Sequence, residues 1–155
     1  MIRYVLAVIL AVLVLAMSVP AVDYAAGQNT DRHAMNAIAD INEAAVSLLD
    51  HEEVPPAGYP GPQRVITITF PDDSLTSHPI DRFEIERIGD QSSVARYQHG
   101  SRAVRTVFVD APIVERDARA NRTVVVEGTG EQTLVLTLET DENNEAVIVV
   151  SRVQF

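Results

Sequence analysis

The amino-acid sequence predicts an α+β protein with an N-terminal transmembrane helix, an amphipathic helix and a C-terminal antiparallel β-sheet domain. Two observations predict this fold class. Apolar residues first form an uncharged run, Tyr4–Val22, and then recur at helical spacing. After Gln63 they alternate with polar residues, as in half-buried strands. The predicted segments are a membrane anchor or signal peptide over 1–27, an amphipathic helix over 28–53, a Pro/Gly linker over 54–63 and a β domain over 64–155.

The run Tyr4–Val22 is long enough to cross a lipid bilayer. As an α-helix it would extend about 28 Å, which is close to the thickness of the hydrocarbon core of a bilayer. Tyr4 and Tyr24 stand at its two ends, where aromatic residues favour the membrane interface. The residues that we assign to the anchor are Tyr4, Leu6, Leu10, Leu13, Pro20 and Val22.

A cleaved signal peptide is the alternative interpretation of the same run. Arg3 supplies a basic start, and Val19-Pro20-Ala21 offers a cleavage site after Ala21. We favour a retained anchor, because the run exceeds the apolar length of about 7–15 residues that signal peptides use. Both interpretations place the N-terminus in the cytoplasm and the remainder outside, since Arg3 is the only charge that precedes the run.

The composition is acidic and lacks both cysteine and lysine. All 12 cations are arginine, they face 22 acidic residues, and the formal net charge is −10. Without cysteine there is no disulfide and no thiol chemistry. Such a lysine-free acidic composition is typical of halophilic proteins, because carboxylates retain water and cations at the surface. The same charge argues against nucleic acid as a partner, since binding to phosphates needs a basic patch.

The segment after the anchor shows one apolar helical face. Its members recur at spacings of four and three residues, and they are Ala34, Ile38, Ile41, Ala45 and Leu48. Two alternatives are open for this helix interaction face. It packs on the protein's own sheet, or its small alanines form a seam with a partner helix. The helix should end before Pro55-Pro56.

The β region contains six or more short strands and several polar turns. We interpret GTGEQ, at residues 128–132, as a hairpin turn, because it precedes a strand and so lacks the helix N-terminus that a phosphate cradle uses. DENNE, at residues 141–145, lacks the turn glycine of a calcium loop and is likewise interpreted as a hairpin turn.

The sequence offers no constellation of catalytic or metal-binding residues. The four histidines, His33, His51, His78 and His99, fall in different elements, and none has a second ligand at metal spacing. We therefore expect no metal site, no cofactor and no enzymatic activity, and the sequence identifies no small-molecule substrate. Asn121 begins an N-x-T sequon and is a candidate glycosylation site in an exported chain.

The order of these segments resembles that of type IV pilin-like proteins, in which an N-terminal apolar helix leads into a β domain. The lysine-free acidic composition and the stretch PGPQRVITITFPDDSL are similar to those of small haloarchaeal membrane-anchored families of uncharacterised function, some encoded with pilus-assembly machinery. The chain departs from pilins in one respect. Ile2-Arg3-Tyr4-Val5 offers no prepilin peptidase site, and no Glu interrupts the apolar run. The resemblance therefore implies an anchored accessory component.

Three functional hypotheses follow from the sequence. The first is a non-enzymatic, single-pass membrane protein that contacts other membrane or pilus-like subunits. The second is a secreted or surface β domain, released by signal peptidase, that binds an unidentified ligand. The third, an enzyme, is the least favoured, because it needs convergent polar groups that the sequence does not indicate.

Overall fold

The computed structural model describes residues 2–56, 59, 61–116 and 123–153 and confirms the α+β class. One long helix precedes a β domain. The helix, α1, covers Ile2–His51 without a break, so the predicted anchor and amphipathic helix are two parts of a single rod. The strands are β1 Gln63–Phe70, β2 Arg82–Arg87, β3 Ser93–Gln98, β4 Arg105–Val109, β5 Ile113–Glu115, β6 Thr123–Val126, β7 Gly130–Thr140 and β8 Ala146–Arg152.

Helix α1 has two halves with different surroundings. From Ile2 to Ala25 every described side chain is exposed, whereas the second half buries one face in the β domain. Pro20 lies inside the first half, where it removes one helical hydrogen bond. The hydroxyl of Ser18 donates to the carbonyl of Val14 at 2.7 Å, a local bond that is common for serine in apolar helices.

The strands form two four-stranded sheets. Their orders are β1-β7-β8-β5 and β4-β3-β2-β6. Hairpins join β2 to β3, β3 to β4 and β7 to β8, as the alternating pattern predicts. All described pairs are antiparallel except β5 with β8, which are parallel. The chain leaves β4 in the second sheet and crosses to the edge of the first sheet. There β5 runs in the same direction as β8.

The two sheets and the second half of α1 enclose one hydrophobic core. The rings of Phe70, on β1, and Phe83, on β2, lie 5.0 Å apart and join the two sheets. The helix packs mainly along β1 and also contacts β7 and β4. At β4 the side-chain oxygen of Asn42 accepts a 2.8 Å hydrogen bond from the backbone of Asp110. Because β1 and β4 are edge strands of the two sheets, the helix closes the gap between these two edges.

The Pro/Gly linker is fastened to β7 at both ends. The hydroxyl of Thr140 donates to the carbonyl of Pro55 at 2.9 Å, and the backbone of Leu138 donates to Pro62 at 3.0 Å. A Cβ at Gly61 would lie 1.7 Å from the carbonyl oxygen of Leu138, so only glycine fits this close approach. The linker thus returns the chain from the end of α1 to the start of the sheet.

The interpretation of residues 128–132 as a hairpin turn is wrong. The segment joins β6, in the second sheet, to β7, in the first, and these strands do not pair. Gly128 and Gly130 have φ angles of 104° and 79°, which lets the chain turn sharply between the sheets. A hairpin and a crossover between sheets use the same small residues, so the local sequence did not distinguish them.

Replacement of Ile41 by alanine should strongly destabilise the β domain. Ile41 is fully buried in the core that α1 shares with both sheets, and truncation of a buried isoleucine costs about 2–5 kcal/mol. Urea unfolding of the full chain in detergent, followed by circular dichroism, measures the loss. Met35→Ala is the matched control on the same helix, because Met35 is 47% exposed. Equal losses in the two variants would contradict the packing described here.

Candidate functional site

The first half of α1 is an uncovered apolar surface. Tyr4 is 80% exposed, Leu13 54% and Val22 48%, although all three are apolar or aromatic. The other residues assigned to the anchor, Leu6, Leu10 and Pro20, are exposed as well. Part of α1 is long and apolar enough to cross a membrane, and none of that part is buried in the described protein. By these criteria alone, a signal sequence near an N-terminus qualifies equally.

The helix interaction face lies inside the protein. Its five residues are at most 2% exposed and belong to the core with both sheets: Ala34, Ile38, Ile41, Ala45 and Leu48. Of the two alternatives, packing on the protein's own sheets is therefore the one that the structure shows. The alanines allow the helix to approach the strands closely, and the face is not available to a partner helix in this conformation.

A polar cluster lies where α1 enters the β domain, and we call Asp31, Tyr97, His99 and Arg105 the junction cluster. Asp31 is only 6% exposed, and its Oδ1 accepts hydrogen bonds from the hydroxyl of Tyr97 at 3.3 Å and from Nε2 of His99 at 3.1 Å. The helix thus supplies the acceptor, while β3 and the residue that follows it supply the donors.

Arg105 brings a positive charge to the second oxygen of Asp31. Its Nη2 lies 3.0 Å from Oδ2, but at an angle outside hydrogen-bond geometry, so this buried oxygen accepts no hydrogen bond from any described residue. The contact is therefore a charge interaction. Because the Arg105 side chain is 58% exposed, water screens its outer part, and the pair contributes less than a fully buried one.

A second histidine lies beside the junction cluster. His78 contacts Asp23 of α1 at 3.0 Å, and its ring stacks near that of His99 with a centroid distance of 6.3 Å. The hydroxyl of Thr30 accepts a 2.8 Å bond from the backbone of His78. These contacts could not be predicted from the sequence, because His78 and His99 are distant from Asp23 and Asp31 along the chain.

The junction cluster has the polar groups of a catalytic site but no nucleophile next to a base. Burial raises the pKa of Tyr97 to about 12, and the negative charge of Asp31 adds to the effect. The phenol therefore stays protonated and acts as a hydrogen-bond donor. Within the described residues there is no group of three side chains that could hold a metal ion. The hydrogen bonds of Asp31 to Tyr97 and His99 connect the helix to the second sheet.

An acidic cleft lies at the opposite end of the domain, beside the last turn of α1. It encloses about 620 Å³, and its lining includes four carboxylates: Asp50, Asp90, Asp110 and Glu145. Arg87 lies close by, with its guanidinium 3.1 Å from Asp141 and 3.4 Å from Glu145. Backbone N–H groups, that of Glu145 above all, and Arg87 lower the pKa of Asp141.

The segment DENNE is a hairpin turn between β7 and β8, as predicted. Asp141 Oδ1 accepts backbone hydrogen bonds from Asn143 and Glu145, both at 2.9 Å, and Asn144 adopts a φ of 64°. These hydrogen bonds occupy an oxygen of the carboxylate that a calcium ion would need as a ligand. The candidate glycosylation site, Asn121, lies outside the described residues.

Alkaline pH should destabilise the folded protein through Tyr97. Above pH 10.0, the ordinary pKa of tyrosine, the phenol ionises in the unfolded chain while the folded one keeps its proton up to about pH 12. The free energy of unfolding therefore falls by about 1.4 kcal/mol per pH unit in this window from Tyr97 alone. Urea unfolding of the full chain at several pH values measures the slope. Tyr97→Phe should flatten it, and an unchanged slope in that variant would contradict the assignment.

Comparison with known proteins yields a family but no function. The sequence model of one family, described as a domain of unknown function, DUF7311, matches residues 1–153. No curated protein and no solved structure matches the chain. The geometry of the molecule is consequently the basis for any functional inference.

Proposed function

The chain belongs to the DUF7311 family of unknown function, and we propose that it is a non-enzymatic, single-pass membrane protein with an acidic extracytoplasmic β domain. In this proposal the first half of α1 is a retained anchor. The β domain stands outside the membrane and acts through contacts with other membrane or pilus-like subunits. No cofactor or small-molecule substrate takes part.

The exposed apolar half of α1 is the observation that carries this proposal. Ordinary soluble monomers seldom expose contiguous apolar patches beyond a few hundred Å², yet here the helix is apolar on all its sides from Tyr4 to Val22. A helix of this kind is stable only when lipid or other apolar helices surround it. Lipid is the simplest such environment, since the length of the run matches the hydrocarbon core.

The distribution of charge supports the proposed orientation. Arg3 is the only charged residue before Asp23, and the rest of the chain carries the excess of acidic residues. A positive charge at the cytoplasmic end favours an N-terminus inside the cell. The acidic surface, free of lysine, then lies outside and suits a medium of high salt, which supports the proposed halophilic, haloarchaeal origin.

The shape of the molecule supports a pilin-like role. A single helix whose first half is free and whose second half is packed into a β domain is the arrangement that the resemblance to pilins implies. In an assembly, the apolar residues between Leu6 and Ala16 would contact the helices of neighbouring subunits. Since no peptidase site or interrupting Glu is found near the start of the run, we propose an accessory component rather than a major pilin.

The acidic cleft favours a second candidate function. If signal peptidase cuts after Ala21, the β domain is released and the cleft of about 620 Å³ is a candidate surface for a ligand. The cut would leave Val22 as the first residue and retain Asp23, which contacts His78. The contacts between the helix and the sheets would therefore remain. The released form would be a secreted binding module.

Aspartate in place of Leu13 should prevent stable membrane insertion. Leu13 lies near the middle of the run, and a charge at that depth costs about 2.5–3.5 kcal/mol. The measurement is the share of the chain that stays with membranes after carbonate extraction. Leu13→Ala is the matched control, since it shortens the side chain without adding charge. Normal membrane retention of the aspartate variant would contradict the proposed anchor.

The mass of the wild-type chain from membrane and medium separates the two candidate functions. An intact N-terminus in the membrane fraction is expected for the anchor. A chain that starts at Val22 and is found in the medium would contradict the retained anchor and support the secreted binding module.

Dilute salt should weaken the fold of the β domain. The formal net charge is −10, and molar salt screens its self-repulsion beyond about 3 Å, whereas dilute salt leaves the repulsion largely unscreened. The melting temperature should therefore rise steeply with the KCl concentration. The matched variant Asp72→Asn/Asp73→Asn removes two exposed charges and should need less salt for the same melting temperature. Identical melting curves in dilute and molar KCl would refute the halophilic proposal.

A further inference from the structure

A loop of the β domain lies against the exposed half of α1. The loop joins β1 to β2, and its members Ser74, Leu75 and His78 face one side of the helix across a groove of about 440 Å³. The helix lines this groove with residues at helical spacing: Leu15, Ser18, Val19, Val22, Asp23 and Ala26. The groove thus starts beside the domain and continues along the proposed anchor.

Leu75 is the apolar tip of this loop. It is 84% exposed, the largest exposed fraction among the large apolar side chains of the described chain. Its neighbours in PDDSLTS are polar, and Asp72 and Asp73 are exposed. A leucine side chain that stays in water contributes no apolar burial to folding. Its position beside the proposed anchor therefore points to an apolar environment outside the protein.

The loop is held in a fixed shape. The backbone of Ser74 donates to the carbonyl of Ser77 at 3.0 Å, and the hydroxyls of these two serines lie 2.8 Å apart. The hydroxyl of Ser77 also donates to the carbonyl of Asp72 at 2.9 Å. These bonds close a tight turn with Leu75 at its tip, so the leucine is presented at low cost in conformational entropy.

The loop is also fastened to α1 at a defined height. The amide of Asn29 donates to the carbonyl of Thr76 at 3.0 Å. Asn29 lies about 10 Å above Val22 along the helix axis, and the interfacial layer of a bilayer is about 5–7 Å thick on each side. Leu75 precedes Thr76 and lines the groove that descends to Leu15. If Val22 marks the hydrocarbon boundary, Asn29 lies just above the interfacial layer. Leu75 lines the groove together with Val22 and Ala26, which are about 6 Å apart along the helix axis, so Leu75 lies within that layer.

We propose that Leu75 and the groove beside it form a second membrane contact, which inserts into the interface of the outer leaflet. This inference rests on the proposed anchor and adds to it. Lipid acyl chains fill the groove, which is continuous with the exposed apolar helix and mainly apolar in its lining. Asp72 and Asp73 remain in water and limit the depth of insertion, because charged groups are costly in hydrocarbon. The His78–Asp23 pair marks the polar edge of this contact.

Single cysteines can report this contact cleanly, because the chain has no cysteine of its own. The full chain is reconstituted in two sets of phosphatidylcholine vesicles, one with lipids that carry a nitroxide near the top of the acyl chain and one with lipids that carry it near the end, so that both depths are probed. An environment-sensitive fluorophore is attached at Leu75→Cys. Val12→Cys, in the middle of the proposed anchor, is the positive control. Phe108→Cys is the matched control in water, since Phe108 is 72% exposed and is two residues from Asp110, which bonds to Asn42, a residue about 30 Å above Val22 along the helix.

The expected result is quenching at position 75 that is at least twofold stronger than at position 108, with emission shifted to the blue. Equal quenching at positions 75 and 108, with strong quenching at position 12, would overturn the second contact and leave the anchor intact. Protection of position 75 from both the lipid nitroxide and aqueous iodide would also overturn it, because protein would then fill the groove. Absence of quenching at position 12 would overturn the proposed anchor itself.

Discussion

The structure depends on one constraint, the passage of a continuous helix from an uncovered state to a buried one within a single turn. Tyr24 is 62% exposed, whereas Ala26 is 2% exposed. Gly27 lies under the guanidinium of Arg102, which a Cβ at that position would meet at 2.3 Å. Small residues at this point allow side chains of the β domain, such as that of Arg102, to approach the helix backbone closely. Because the helix does not break here, the domain has a fixed orientation relative to the free half of α1.

The junction cluster explains how the helix keeps its position along the sheets. The alanine and isoleucine face could slide by one turn and still bury apolar side chains, since its pattern repeats along the helix. A slide would move Asp31 away from Tyr97 and His99 and leave a buried carboxylate without donors, which is strongly unfavourable. Buried ionic groups often add little net stability. Here we attribute to the cluster the choice of one register among several, rather than an increase in total stability.

The sequence predicted those features that local periodicity determines. The helical spacing from Ala34 to Leu48 identified the apolar face, and alternation predicted six or more strands and the hairpin at DENNE. It did not predict the parallel pairing of β5 with β8 or the crossover at residues 128–132, because both depend on which sheet a strand joins. It also missed the contacts of His78 and His99 with α1. These histidines are separated from their carboxylate partners by long stretches of chain, and no short motif records such a contact.

The chemistry of the junction cluster accounts for how the helix is held on the β domain. A buried aspartate often orients a histidine that acts as a general base, and that histidine then needs a nucleophile beside its other ring nitrogen. His99 uses Nε2 for Asp31, and the same oxygen also accepts the hydroxyl of Tyr97, whose raised pKa makes it a donor. Both donors thus bond to Oδ1 of Asp31, while Oδ2 has only the charge of Arg105 beside it. In the described part of the chain this cluster connects the helix to the second sheet through Tyr97, His99 and Arg105.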